Sequence, residues 1–399
     1  MSERLTTASF EAPAGVDNAR SRAMVVGAIG LIATIAGAFG SSTQFFQSYL
    51  VAFVYWTGVA LGCLGLLMVQ HLSGGAWGLM IRRILEASAK TIPLMFVLFL
   101  PIAFAGLPAL YEWARPDVVA GDAMLQRKAP YLNATGFIAR GIGYFAIWSL
   151  MTYLLTKWSQ DQDGRPGAPY DKRFGKVSGP GLVVFGLTCT FAAVDWVMSL
   201  APHWFSTIFG FLFIGGAGLA ALALVITTMA QLSKTSPMSG VFEQKHFHDL
   251  GKLMFAFVML YAYFSFSQFL IIWSANLPEE LPWYLTRLTG PWKVIALLLV
   301  FGHFVLPFSL LLSADVKQNT KTVVPIALLL MVMRAVDLYW QMAPQYHHGA
   351  FHFHWMDVTA FVGVGGLWVA AYLHFLKGRP LLPVNDPYLR EALASHGSH

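Results

Sequence analysis

Ten runs of apolar residues, each about twenty residues long, punctuate this chain from end to end and restrict its fold more than any motif does. Within a hydrocarbon layer every backbone N–H and C=O must find a partner inside the protein, so runs of this length cross as α-helices. The expected spans are Ala23–Gly40, Ser48–His71, Ile92–Glu112, Ala134–Lys157, Pro180–Leu200, Phe205–Gln231, Leu250–Ser274, Pro291–Ser313, Val323–Met342 and Trp355–Phe375. Charged residues are only 12% of the 399, about half the share of a soluble domain. The expected class is an all-α integral membrane protein of ten transmembrane helices.

Basic residues orient these spans. Nineteen of the 26 Lys and Arg fall in the two tails (1–22 and 377–399) or in the connections after spans 2, 4, 6 and 8. Five fall in the connections after spans 3 and 7, and Arg140 and Arg334 lie inside spans; Lys157, Lys252 and Lys293, at span ends, are counted in the connections they flank. The bias predicts both termini in the cytoplasm. The first 22 residues are polar and read as a mature cytoplasmic tail. The connection 158–179 is then cytoplasmic, while the His203 turn and the histidine-dense loop His347–His354 are external. The net charge of +6 follows from this topology and from contacts with anionic membrane lipids, and needs no nucleic acid. The connection Gly74–Thr91 mixes Trp77, Ile81 and Leu85 with Arg82, Arg83, Glu86 and Lys90. It reads either as a short interfacial helix or as an ordered connector with a basic face.

Two acidic phrases repeat. Ala193-Val194-Asp195 leads to Leu200-Ala201-Pro202, and Ala335-Val336-Asp337 leads to Met342-Ala343-Pro344 after the same gap. The repeat pairs span 5 with span 9. A shift of four helices preserves direction, so two parallel four-helix bundles are expected: spans 2–5 (48–200) and spans 6–9 (205–342), with spans 1 and 10 peripheral. Both carboxylates fall in the outer third of the membrane, where a charge is costly and points to function such as a proton path. The competing reading is a carboxylate locked by a partner to hold helices together.

Arg334 lies one turn before Asp337, at pairing distance on one helix. Arg140 on span 4 reaches a similar depth to Asp195, so an Arg140–Asp195 contact is expected. His303 is the one histidine well inside a span. A membrane haem needs two facing histidines, so no haem is expected, and His303 reads as a core residue or proton relay. Cys63 and Cys189 form no clustered thiol motif, which excludes covalent haem and iron–sulfur ligation by this chain. The external histidines lack a carboxylate-rich ligand set; a subunit interface or proton buffering suits them as well as a metal, and none is expected. His203, Tyr261, Tyr263, Ser267 and Gln268 are candidates to line a quinone headgroup pocket or proton wire, with ordinary interhelical hydrogen bonds as the alternative.

The phrase Ala193–Trp204, the run Phe264-Ser265-Phe266-Ser267-Gln268-Phe269 with Trp273–Glu280, and Gly302-His303-Phe304 resemble the polysulfide-reductase-type (NrfD-like) membrane subunits. More closely, the chain resembles the smaller such subunit of Alternative Complex III, a bacterial quinol:cytochrome c oxidoreductase. That resemblance implies two four-helix bundles with peripheral spans. It implies as partners a homologous larger membrane subunit, a periplasmic iron–sulfur subunit and haem c subunits. Haem c and the iron–sulfur clusters reside in those partners, and menaquinol or ubiquinol is the reductant. Asp195, Asp337, Arg334 and His303 match positions suggested for proton handling. A proton-coupled secondary transporter and a structural scaffold for redox subunits are the other readings of the sequence.

Overall fold

The computed structural model describes residues 10–164, 170–236, 238–347 and 349–389. Residues 1–9 and 390–399 of the expected tails, 165–169 of the basic connection, and His348 of the histidine-dense loop lie outside them. Ten helices are long and apolar enough to cross a membrane: Gly15–Ala38, Ser42–Ser73, Trp77–Leu110, Ala134–Gly164, Lys172–Leu200, Phe209–Leu232, Gln244–Ala275, Gly290–Leu311, Thr320–Tyr346 and Trp355–Lys377, here spans 1 to 10. The described residues contain no strand. The chain is an all-α, multi-pass membrane protein.

Spans 2 and 6, the first helices of the two expected bundles, pack against each other at the centre and are buried along nearly their whole length. Span 2 also packs on spans 3 and 5, and span 6 on spans 7 and 9. Span 1 lies along span 10 outside this core. There Gly27 and Gly30 meet Gly363 and Gly366, and a Cβ on Gly30 would come within 2.7 Å of the Gly363 nitrogen. Small residues at this spacing let two backbones touch, which supplies dispersion where lipid offers no hydrophobic drive. Span 10 is fastened to span 2 by the stacked Trp56 and Trp368 rings, 5.1 Å apart, and by the Ser48 hydroxyl donating to Asp357 at 2.5 Å.

Three expectations change. The connection Gly74–Thr91 is helical, as one of its two readings had it, but its arginines form no exposed basic face. Its helix Ala76–Ala89 supplies the first part of span 3, and Arg82, Arg83 and Glu86 are each under 5% exposed. They are buried because partners come to them: Asp386 to Arg82 at 2.8 Å, Asp163 of span 4 to Arg83 at 2.5 Å, and Arg379 to Glu86 at 3.3 Å. Two of those partners belong to the C-terminal segment, so 379–389 is a packed strap with Leu381 and Leu382 buried, and not a loose tail. The Leu381 N–H donates to the Phe10 carbonyl, which places both ends of the described chain at one face. The α-helix that carries span 5 begins at Tyr170, ten residues before Pro180, and ends at Trp196, followed by a short 3-10 turn, Met198–Leu200.

Candidate functional site

The first acid sits at the end of its helix. Asp195 is the penultimate residue of the α-helical part of span 5, where unpaired carbonyls make an added negative charge unfavourable. Span 4 compensates. Arg140 donates to both oxygens, Nε to Oδ2 and Nη2 to Oδ1, each at 2.9 Å. Tyr144, one turn further along, donates to Oδ2 at 2.8 Å. The Tyr131 ring lies 3.9 Å from the guanidinium carbon. Both carboxylate oxygens are engaged, and the side chain is 1% exposed. The expected contact between Arg140 and Asp195 is therefore present, as a fork.

The second acid lies mid-helix and is built differently. Asp337 accepts from Arg334 Nη1 at 2.5 Å, from Tyr261 of span 7 at 2.5 Å and from Gln341 at 2.9 Å. All three donors converge on Oδ2; Oδ1 accepts no hydrogen bond among the described residues. Span 6 makes room for the arginine at Gly216, where a Cβ would lie 2.4 Å from its guanidinium carbon. His303 completes the group, its ring centroid 4.7 Å from that of Tyr261. Pro307, four residues on, has no N–H to give the His303 carbonyl, and the ladder here widens to a π-helix over Val300–Val305. His303 is 3% exposed, yet neither ring nitrogen has a protein partner.

This group faces a cavity of about 620 Å³. Tyr261, Gln268, Tyr284, His303, Asp337 and Gln341 line it among aromatic and aliphatic walls, within the size range of small-molecule sites. Its rim includes Tyr263 and Phe266 of span 7 and Val300 of span 8, which are 63%, 61% and 51% exposed and face the lipid. The cavity thus opens sideways between spans 7 and 8. Its far wall holds Trp283, stacked at 4.4 Å on Trp204 from the turn between spans 5 and 6. Behind that wall Arg287 is fully buried, 3.7 Å from the Trp283 ring centroid. It donates to the carbonyls of Trp283, Trp340 and Gln341 at 2.9, 3.2 and 2.6 Å. The Trp340 carbonyl needs this donor because Pro344 offers it no N–H. Burial lowers the Arg287 pKa to about 9, leaving it charged at neutral pH, and pushes Tyr284 up to about 12.

The structure thus joins Asp337, Arg334, Tyr261 and His303 in one group, with Gln268 on the same cavity. Arg140 and Asp195 form a separate group. Tyr263 stands at the cavity rim, and Ser267 does not line it. His203 lies elsewhere, 51% exposed at the face opposite the termini, where its Nε2 meets Asp122 at 2.7 Å. The Leu125 and Met124 N–H groups and His203 hold the Asp122 carboxyl below its usual range. In the loop after span 9, His354 is a helix cap: its Nδ1 accepts from the Met356 N–H while Asp357 accepts from its own. Tyr144 and Gln341 were not foreseen, although Tyr144 follows Arg140, and Gln341 follows Asp337, by four residues, the spacing of neighbours on one helix face. Arg287 was not foreseen either; Pro344 was the available signal for it. In comparisons with known proteins, no family model and no curated protein matches this chain.

Proposed function

We propose that this chain is a membrane subunit of a quinol-oxidising electron-transfer complex of the Alternative Complex III kind, and that its second bundle binds a quinone headgroup and handles protons there. The observation that carries the reading is the laterally open cavity in which Asp337 and the unpartnered His303 meet. An isoprenoid ligand dissolved in the bilayer needs a sideways entrance, an aromatic slot and a few polar groups at its depth, and these residues fit that requirement. His303 and Tyr261 would hold the headgroup oxygen. A bound quinol supplies two protons together with its electrons.

Asp337 is suited to take up such a proton because its Oδ1 remains free while Arg334 balances its charge. An acid held this way exchanges protons without breaking the hydrogen bonds on its other oxygen. The sequence offers no thiol cluster or facing histidine pair to carry electrons, so the iron–sulfur and haem c subunits would receive them. The larger homologous membrane subunit would share the membrane face. On this reading the termini lie in the cytoplasm, and Asp337 lies toward the periplasmic side.

The test is purification from native membranes without harsh detergent. The reading predicts co-purification with c-type haem absorbance and with stoichiometric quinone. A chain that purifies alone, free of quinone, and drives proton-dependent solute uptake in vesicles would replace this reading with the transporter.

A further inference from the structure

A second cavity, of about 460 Å³, opens at the face opposite the termini, between the loop after span 3 and the turn joining spans 5 and 6. Much of its wall is apolar, from Leu132, Val194, Met198 and the half-exposed Phe205. Two cations, Arg127 and Lys128, stand at its edge. Neither forms an ion pair among the described residues. Asp122, the acid of the same turn, is already taken by two backbone N–H groups and by His203.

Lys128 is partly buried, and its ammonium donates to the Pro202 carbonyl alone, at 2.5 Å. Two of its three N–H groups are left over. Trp204 also lines the cavity; it is 4% exposed, and its indole N–H has no acceptor. Burial lowers the Lys128 pKa against the opposing pull of Glu279 and Asp122. A cation withdrawn from water without a counter-ion is costly, and an arriving anion removes that cost. The chemistry wanted is an anionic oxygen acid with an apolar body. A small soluble anion has no use for the apolar wall, whereas a lipid at the edge of the bilayer brings both parts.

We propose that this cavity is a binding site for the phosphate headgroup of an anionic phospholipid from the adjoining leaflet. Arg127 and Lys128 would meet the phosphate, Trp204 would donate to it, and the apolar wall would hold the first part of an acyl chain. The proposal is independent of the quinone reading, because it concerns the other bundle and different residues.

The experiment is native mass spectrometry of the full-length chain, stripped of lipid in mild detergent and titrated with phosphatidylglycerol or phosphatidylcholine. Retention should favour phosphatidylglycerol by about twenty-five-fold, since each of the two cations near an anionic lipid contributes roughly a five-fold factor. Arg127→Ala should weaken phosphatidylglycerol binding about five-fold with no change in melting temperature in lipid-free detergent. Arg127 has no structural bond to lose, so it is the primary variant. Lys128→Ala, which also releases the Pro202 carbonyl, should weaken binding further. Equal retention of the two lipids, unchanged binding by Arg127→Ala, or displacement of the lipid by millimolar inorganic phosphate would each overturn the proposal. The last result would assign the cations to a soluble anion instead.

Discussion

Asp195 and Asp337 stand in nearly the same words of sequence and are served by the same side-chain types, but one is closed and the other open. At Asp195 a forked arginine and a tyrosine from span 4 occupy both oxygens, and neither described cavity includes the carboxylate. At Asp337 every donor crowds onto Oδ2, and the carboxylate lines a cavity of about 620 Å³ beside His303. The difference follows from where the donors originate. Span 5 ends its α-helix one residue after Asp195, so the acid must be fully paired from a neighbouring helix. Span 9 continues to Tyr346, its own Arg334 and Gln341 supply two donors, and one oxygen stays free. Repetition in sequence duplicated the acid without duplicating its access.

The largest expected effect is on stability. Arg334→Ala leaves a carboxylate buried without its counter-ion and should cost about 3–5 kcal/mol, read as a loss of thermal stability or of assembly. Arg140→Ala should cost less, because that side chain is 23% exposed and water can replace part of the pairing. Equal costs would break the contrast between a closed and an open site. On function the second site again shows the larger effect. Asp337→Asn should reduce proton release coupled to quinol turnover by about ten-fold or more, whereas Asp195→Asn should change it less than about two-fold once assembly is matched. A comparable loss in both would restore the symmetry that the geometry denies.

His303→Leu sharpens the contrast in a different way. Removing two unpartnered buried nitrogens should leave thermal stability unchanged or raise it by about 1 kcal/mol, while quinone retention falls. A stability loss above about 2 kcal/mol would mean that His303 serves packing and not a ligand. The smallest effect is at the Asp122 turn. Asp122 has a lowered pKa in the fold, so its contribution is present above the ordinary value of 3.8 and lost as pH falls through the folded pKa. Amide exchange of Met124 and Leu125 should therefore stay slow at neutral pH and speed up only below about pH 4.

The ten spans were legible because a lipid-facing helix must be apolar over its whole length, which leaves a mark that local composition alone carries. The Arg140–Asp195 pair was legible for a related reason, since two charges at similar depth on adjacent helices have few other partners. The burial of Arg82 and Glu86 was not, because their partners Asp386 and Arg379 lie some 300 residues away in what reads as a polar tail. The cavity was hidden as well. Tyr261, Gln268 and His303 are visible as polar residues on apolar spans, but which of them face a void depends on how spans 7 and 8 rotate. Helical spacing put Tyr261 and Gln268 on one face without saying that Tyr263 would look out to lipid. One correspondence emerges only in three dimensions. Lys128 and Arg287, from the loops after spans 3 and 7, each donate to a carbonyl at the proline end of the repeated phrase. Those loops are equivalent under the four-span shift, although the residues share no spacing in sequence.

The central claim is that a quinone headgroup meets this chain at His303 and Asp337 and not at Asp195. Photolabelling of the assembled complex with an azidoquinone, followed by peptide mapping, tests it most directly. The account predicts label on spans 7 and 8, lost in His303→Leu. Label on spans 4 and 5, or label on spans 7 and 8 that His303→Leu leaves intact, would contradict it.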